Sequence, residues 1–146
     1  MKSKRLIGIA TLALISSLAI AGKVQPVSVI VQIEPDGSGY AEGDMVTART
    51  SENEFELIGC GIKGFAIENP FPFSDALTVG FCQARNSDNV NVFCITESPI
   101  LVEVLKATGD YSYIYFEFDE YGSCTRIDFS TQSIYLPKNV KANRVP

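Results

Sequence analysis

The sequence predicts a mainly β domain: an antiparallel sandwich or small barrel of about six strands with one short helix, near residues 98–107, stapled by two disulfides. Three observations point there. Short stretches of alternating apolar and polar residues recur along the chain, with turn-forming clusters between them. Only one stretch carries both helical spacing and helical punctuation. The cysteines number four and are widely spaced, an even count that reads as paired.

The elements follow in order. Val27, Val29, Val31 and Ile33 alternate with Ser28, Ile30 and Gln32, which predicts a strand over 27–33. Pro35-Asp36-Gly37-Ser38-Gly39 is a turn. Residues 40–50 give a weaker pattern, with a strand expected at 44–50 through Met45, Val46 and Thr47. Residues 54–62 read as a strand in which Gly59 and Gly61 flank Cys60, so that another backbone has room to approach. Asn69 to Asp75 is a loop, because Pro70 and Pro72 have no N–H to give a ladder. Residues 78–84 and 90–96 form a hairpin about Asn86-Ser87-Asp88-Asn89. Ser98-Pro99 opens the helix, Leu101 and Leu105 with Val102 or Val104 give it an apolar face, and Gly109 ends it.

The last hairpin pairs 111–118 with 124–131 across Glu120-Tyr121-Gly122-Ser123. Burial selects its register, since a slip of one residue would send every side chain to the other face. In that register Ile114 faces Phe129, Phe116 faces Ile127 and Phe118 faces Thr125 on the core side. Tyr113 faces Ser130, Tyr115 faces Asp128 and Glu117 faces Arg126 on the outer side.

Three connectivities are open to Cys60, Cys82, Cys94 and Cys124. The central hairpin sets Cys82 opposite Cys94, so Cys82–Cys94 with Cys60–Cys124 is the expected pairing.

Lys2, Lys4 and Arg5 precede an apolar run from Leu6 to Ala21 that ends Ala19-Ile20-Ala21. This is the pattern of a cleavable secretory signal over residues 1–21, removed after Ala21. A single exported domain is expected over 22–146, with a flexible tail at 138–146, in the periplasm or outside the cell. The whole chain carries 12 Lys+Arg and 17 Asp+Glu; losing the three leader cations takes the net charge from −5 to −8. Such a surface repels nucleic acid and anionic lipid, so neither is an expected partner, and no membrane association is expected after cleavage.

No histidine is present, which removes Ser-His-Asp and Cys-His nucleophile systems and the commonest metal ligand. No cofactor or metal is expected. Four places invite a functional reading. The outer face of the last hairpin, Tyr113, Tyr115, Glu117, Arg126, Asp128 and Ser130, combines residue types that dominate binding energy. The acidic stretch Glu34 to Asp44 offers spaced carboxylates for calcium, though without EF-hand spacing. Glu117 with Asp119 or Glu120 is the one local carboxylate cluster for hydrolysis. Phe65 to Phe73 is an apolar loop. Together these lead to a non-enzymatic binding module for a protein, peptide or envelope component, an inhibitor being one form of it. The alternatives are a self-associating envelope component and a carboxylate-dependent hydrolase.

Overall fold

A computed structural model of the chain describes residues 24–66 and 76–137. The expected leader, the Asn69–Asp75 loop and the 138–146 tail fall outside the described residues. The elements are β1 (Ile30–Ile33), β2 (Gly39–Asp44), α1 (Met45–Thr50), β3 (Leu57–Ala66), β4 (Ala76–Arg85), β5 (Asn91–Thr96), α2 (Pro99–Lys106), β6 (Tyr113–Phe118) and β7 (Cys124–Ser130), with a 3-10 turn at Ser133–Tyr135. The strands form two antiparallel sheets: sheet A, ordered β1-β2-β6-β7, and sheet B, ordered β3-β4-β5. This is the expected mainly β architecture, with two separate sheets rather than a closed barrel.

Alternation decides which face of each sheet is inside. From sheet A, Ala41, Ile114, Phe116, Phe118 and Ile127 turn inward; from sheet B, Ile58, Cys82, Ala84, Val92 and Cys94 meet them in one core. Small opposes large where the strands pair: Ala41 faces Phe116, whose ring is fully buried. Helix α2 starts at Ser98-Pro99 as expected and buries Val102 and Leu105. Leu105 packs on the bare backbone of Gly80, where a Cβ would lie 2.3 Å from Leu105 Cδ1. Glycine at that position is what lets the helix come so close.

Both predicted hairpin registers are present. Phe81 pairs with Ile95, Cys82 with Cys94 and Ala84 with Val92; Ile114 pairs with Phe129, Phe116 with Ile127 and Glu117 with Arg126. One pair differs: a bulge after Glu117 moves Phe118 opposite Cys124 instead of Thr125. The first strand is shorter than its alternation, starting at Ile30, because Val27 N and Val29 N donate to side chains, Asp44 Oδ2 and Glu56 Oε1, at 2.7 and 2.8 Å rather than to a neighbouring strand. The strand expected at 44–50 is instead helix α1. Asp44 caps it, accepting from Thr47 N at 2.7 Å and Thr47 Oγ1 at 2.5 Å, and this local cap outweighs the β preference of Val46 and Thr47.

The expected disulfide pairing is wrong. Cys60 bonds Cys82, and Cys94 bonds Cys124. Cys82 does face Cys94, but it sits on the central strand of sheet B and faces Cys60 on the other side as well. The Cys60 and Cys82 Cα atoms are 4.0 Å apart, the spacing of a non-hydrogen-bonded pair. The main-chain groups of Cys82 therefore point at β5, which makes Cys82 and Cys94 the wider, hydrogen-bonded kind of pair. Cys94 instead reaches Cys124 at 5.1 Å and ties sheet B to sheet A. Beside this bridge, Ile95 N donates to Gly122 O at 2.9 Å.

Candidate functional site

Strands β2 and β6 lie side by side in the middle of sheet A, in antiparallel register. With Ala41 and Gly43 turned inward, Tyr40 and Glu42 must point out, beside Tyr113, Tyr115 and Glu117 of β6. The outer face therefore reads in rows across the strands. One row is Gln32, Tyr40, Glu117 and Arg126; the next is Ile30, Glu42, Tyr115 and Asp128.

The side chains in these rows engage one another. The Tyr40 and Tyr115 rings stack at 5.6 Å between centroids, and Tyr113 stacks on Tyr135 at the same distance. Tyr113 Oη donates to Glu42 Oε2, and Tyr115 Oη donates to Glu117 Oε1 at 2.7 Å. The Arg126 guanidinium lies 5.1 Å from the Tyr115 ring centre, a cation–π distance. It bonds Asp128 Oδ2 at 2.6 Å and reaches Glu117 Oε1 at 3.4 Å. All three charged groups are substantially solvated, so these ion pairs orient the side chains and add little to stability. Burial and the bond to Glu117 push the Tyr115 phenol up to about 12; burial and Glu42 hold Tyr113 still higher. Both stay neutral and remain donors throughout the physiological range. Arg126 is held above its ordinary value by its bond to Asp128.

At the turn end of this face lies a shallow hollow of about 330 Å³, lined by Glu34, Ser38, Tyr40, Tyr115, Glu117 and Asp119. A larger hollow of about 760 Å³ sits beside α1, among Met45, Arg49, Leu57, Tyr111 and Pro137. Its lining combines apolar side chains with Arg49, Asn53, Glu54 and Asp110.

The five predicted site residues Tyr113, Tyr115, Glu117, Arg126 and Asp128 are thus brought together, with Ser130 alongside. The same strip includes Tyr40, Glu42 and Tyr135, which the reading of the last hairpin missed. The period-two run Tyr40-Ala41-Glu42-Gly43-Asp44 carried the signal for two of them.

The other candidates disperse. In the acidic stretch, Asp36 closes on Ser38 N and Oγ at 3.0 and 2.7 Å, and those bonds hold its carboxyl below the usual range. Glu42 serves Tyr113, and Asp44 is buried as a helix cap. Among the described residues no three acidic or cysteine side chains are grouped to hold a metal ion. Asp119 is spent on its turn, accepting from Tyr121 N at 3.0 Å and Ser123 N at 2.8 Å. Phe65 stands exposed on β3, while residues 67–73 of the apolar loop fall outside the described residues. Among the described residues no helix is long and apolar enough to cross a membrane. No family model, curated protein or solved structure matches the chain.

Proposed function

We propose that the chain is an exported binding module whose sheet A face recognises a cationic segment of a protein or peptide. The observation that carries this reading is the strip itself: two stacked tyrosine pairs interleaved with Glu42, Glu117 and Asp128, continuing into a hollow edged by Glu34 and Asp119. Aromatic faces bordered by carboxylates suit guanidinium and ammonium groups, which gain from the ring and the charge together. Arg126 already occupies one such position, between the Tyr115 ring and two carboxylates. It acts as an internal occupant that an incoming cation displaces. The Cys94–Cys124 bridge ties the sheet that carries this face to sheet B, and the two disulfides together suit an oxidising compartment, in keeping with the leader pattern.

The test uses the protein's own fluorophores. The chain has no tryptophan, and four of its six tyrosines, Tyr40, Tyr113, Tyr115 and Tyr135, lie on this strip. Titration with octa-arginine should change tyrosine emission saturably, with an affinity that weakens as salt rises. Tyr115→Ala should abolish the response, and Arg126→Ala should strengthen it by vacating the ring. An equal response to octa-glutamate, or none to octa-arginine, sinks the reading.

A further inference from the structure

The tyrosine strip contains the same unit twice along β6. In the first unit the Tyr113 ring stacks on Tyr135, and the Glu42 carboxylate accepts from the Tyr113 hydroxyl. In the second the Tyr115 ring stacks on Tyr40, and the Glu117 carboxylate accepts from the Tyr115 hydroxyl. Each unit is thus two tyrosines and one glutamate. The parts come from different elements: Tyr40 and Glu42 from β2, and Tyr135 from the 3-10 turn, which Gln25 N ties down by donating to Ile134 O at 3.0 Å.

Each glutamate spends one oxygen inside its unit. Glu42 Oε2 accepts from Tyr113, and Glu117 Oε1 accepts from both Tyr115 and Arg126. Among the described residues no donor bonds Glu42 Oε1 or Glu117 Oε2. Each unit therefore sets half-buried rings beside an open carboxylate oxygen. At the second unit the hollow of about 330 Å³ gives room for a long side chain. Three carboxylates, Glu42, Glu117 and Asp128, face one cation, Arg126, so the strip is two positive charges short. Arg126 displays the group that suits such a unit: a flat guanidinium over the Tyr115 ring with carboxylates at its edge. A guanidinium stacks and forks at once, which an ammonium does not. Arg126 keeps Asp128, at 2.6 Å, when an incoming guanidinium takes the Tyr115 ring.

The spacing of the units specifies the partner further. Tyr113 and Tyr115 are successive residues on one face of β6, so the units repeat at about 7 Å. An extended peptide has the same repeat. Its side chains two positions apart project to one side at about 7 Å, whereas adjacent ones, and those three apart, project to opposite sides. We infer that the partner segment is extended and carries two arginines separated by one residue, one for each unit, lying along β6. This rests on the reading of the strip as a cation-binding face and names the segment that fits it.

Three peptides of identical composition test this, each with two arginines among four threonines. The arginines are adjacent in one, separated by one threonine in the second and by two in the third. Nuclear magnetic resonance titration of the full chain at low salt, read at the Tyr113 and Tyr115 amides, gives a dissociation constant for each. The second peptide should bind about tenfold more tightly than the others, since it alone engages both units at once. Glu42→Gln leaves Tyr113 an acceptor and should bring the three constants together without abolishing binding. Equal constants in the native protein, or a preference that Glu42→Gln leaves intact, overturn the inference while the cation-binding reading stands. The same holds if octa-arginine binds and none of the three peptides does. No response to octa-arginine either overturns both.

Discussion

Tyr113→Phe isolates one hydroxyl and makes a prediction whose size changes with pH. The substitution keeps the ring, so the stack on Tyr135 survives and only the bond to Glu42 is lost. A hydrogen bond to a charged acceptor contributes about 1.5–3 kcal/mol, and half-burial of both partners reduces this to about 1 kcal/mol. At pH 7 the variant should therefore be about 1 kcal/mol less stable. At alkaline pH the sign of the linkage works against the native residue. Tyr113 ionises well above its ordinary value in the folded state, chiefly through burial and then through Glu42. The stability tied to its neutral form is fully present below pH 10 and lost as pH rises above it. With an unfolded phenol at about pH 10, the cost at pH 11 is about 1.4 kcal/mol, borne by the native protein and absent from the variant. Tyr115 and the other tyrosines contribute equally to both proteins and cancel. The two should thus be equally stable near pH 11, within a few tenths of a kcal/mol. Urea denaturation followed by far-ultraviolet circular dichroism at a series of pH values measures the gap directly. A gap that stays constant or widens between pH 7 and pH 11 refutes the placement of this hydroxyl against a carboxylate.

Three further outcomes are expected. Proteolytic mapping without reductant should recover Cys60 linked to Cys82 and Cys94 linked to Cys124, and replacing Cys94 and Cys124 together by alanine should cost about 3–4 kcal/mol by the loop-closure relation; a Cys82–Cys94 peptide, or a cost below about 1 kcal/mol, contradicts this. Phe116→Ala empties the centre of the core and should cost about 3–5 kcal/mol in denaturant, with circular dichroism retained at low temperature. Gly80→Ala should cost about 1–3 kcal/mol by pushing Leu105 off the sheet, and Leu105→Val in the same chain should recover part of that loss if the helix contact is the cause.

The parts of the fold that could be read from the residues are those whose partners are near in sequence. The β6–β7 hairpin fixes its own register, because sliding it would expose Phe116 and bury Glu117, and the β4–β5 hairpin is set by its short Asn86–Asn89 turn. What could not be read depends on a third element. The disulfide pairing turns on β3 lying against the far side of Cys82, which no hairpin pattern reveals. β2 escaped because its inward residues are Ala41 and Gly43, too small to announce a buried face; Phe116 and Ile114 of β6 fill that space from the partner strand. The strip divides along the same line. Its β6–β7 half follows from one hairpin, while Tyr40 and Glu42 join it only through pairing with a strand some 70 residues later.

The double opposition of Cys82 has a consequence for how the protein matures. A nascent chain emerges with its N-terminal end first, so Cys60, Cys82 and Cys94 are together before Cys124 has been made. An oxidant acting at that moment has two neighbours to choose from for the central thiol. Joining Cys82 to Cys94 uses up the sulfur that must later tie the two sheets together, and it leaves Cys60 across the sheet from its only remaining mate. Recovery then needs thiolate attack on a bond already formed, over seconds to hours, rather than further oxidation. Yield of the native form should accordingly follow the supply of disulfide isomerase more closely than the strength of the oxidant.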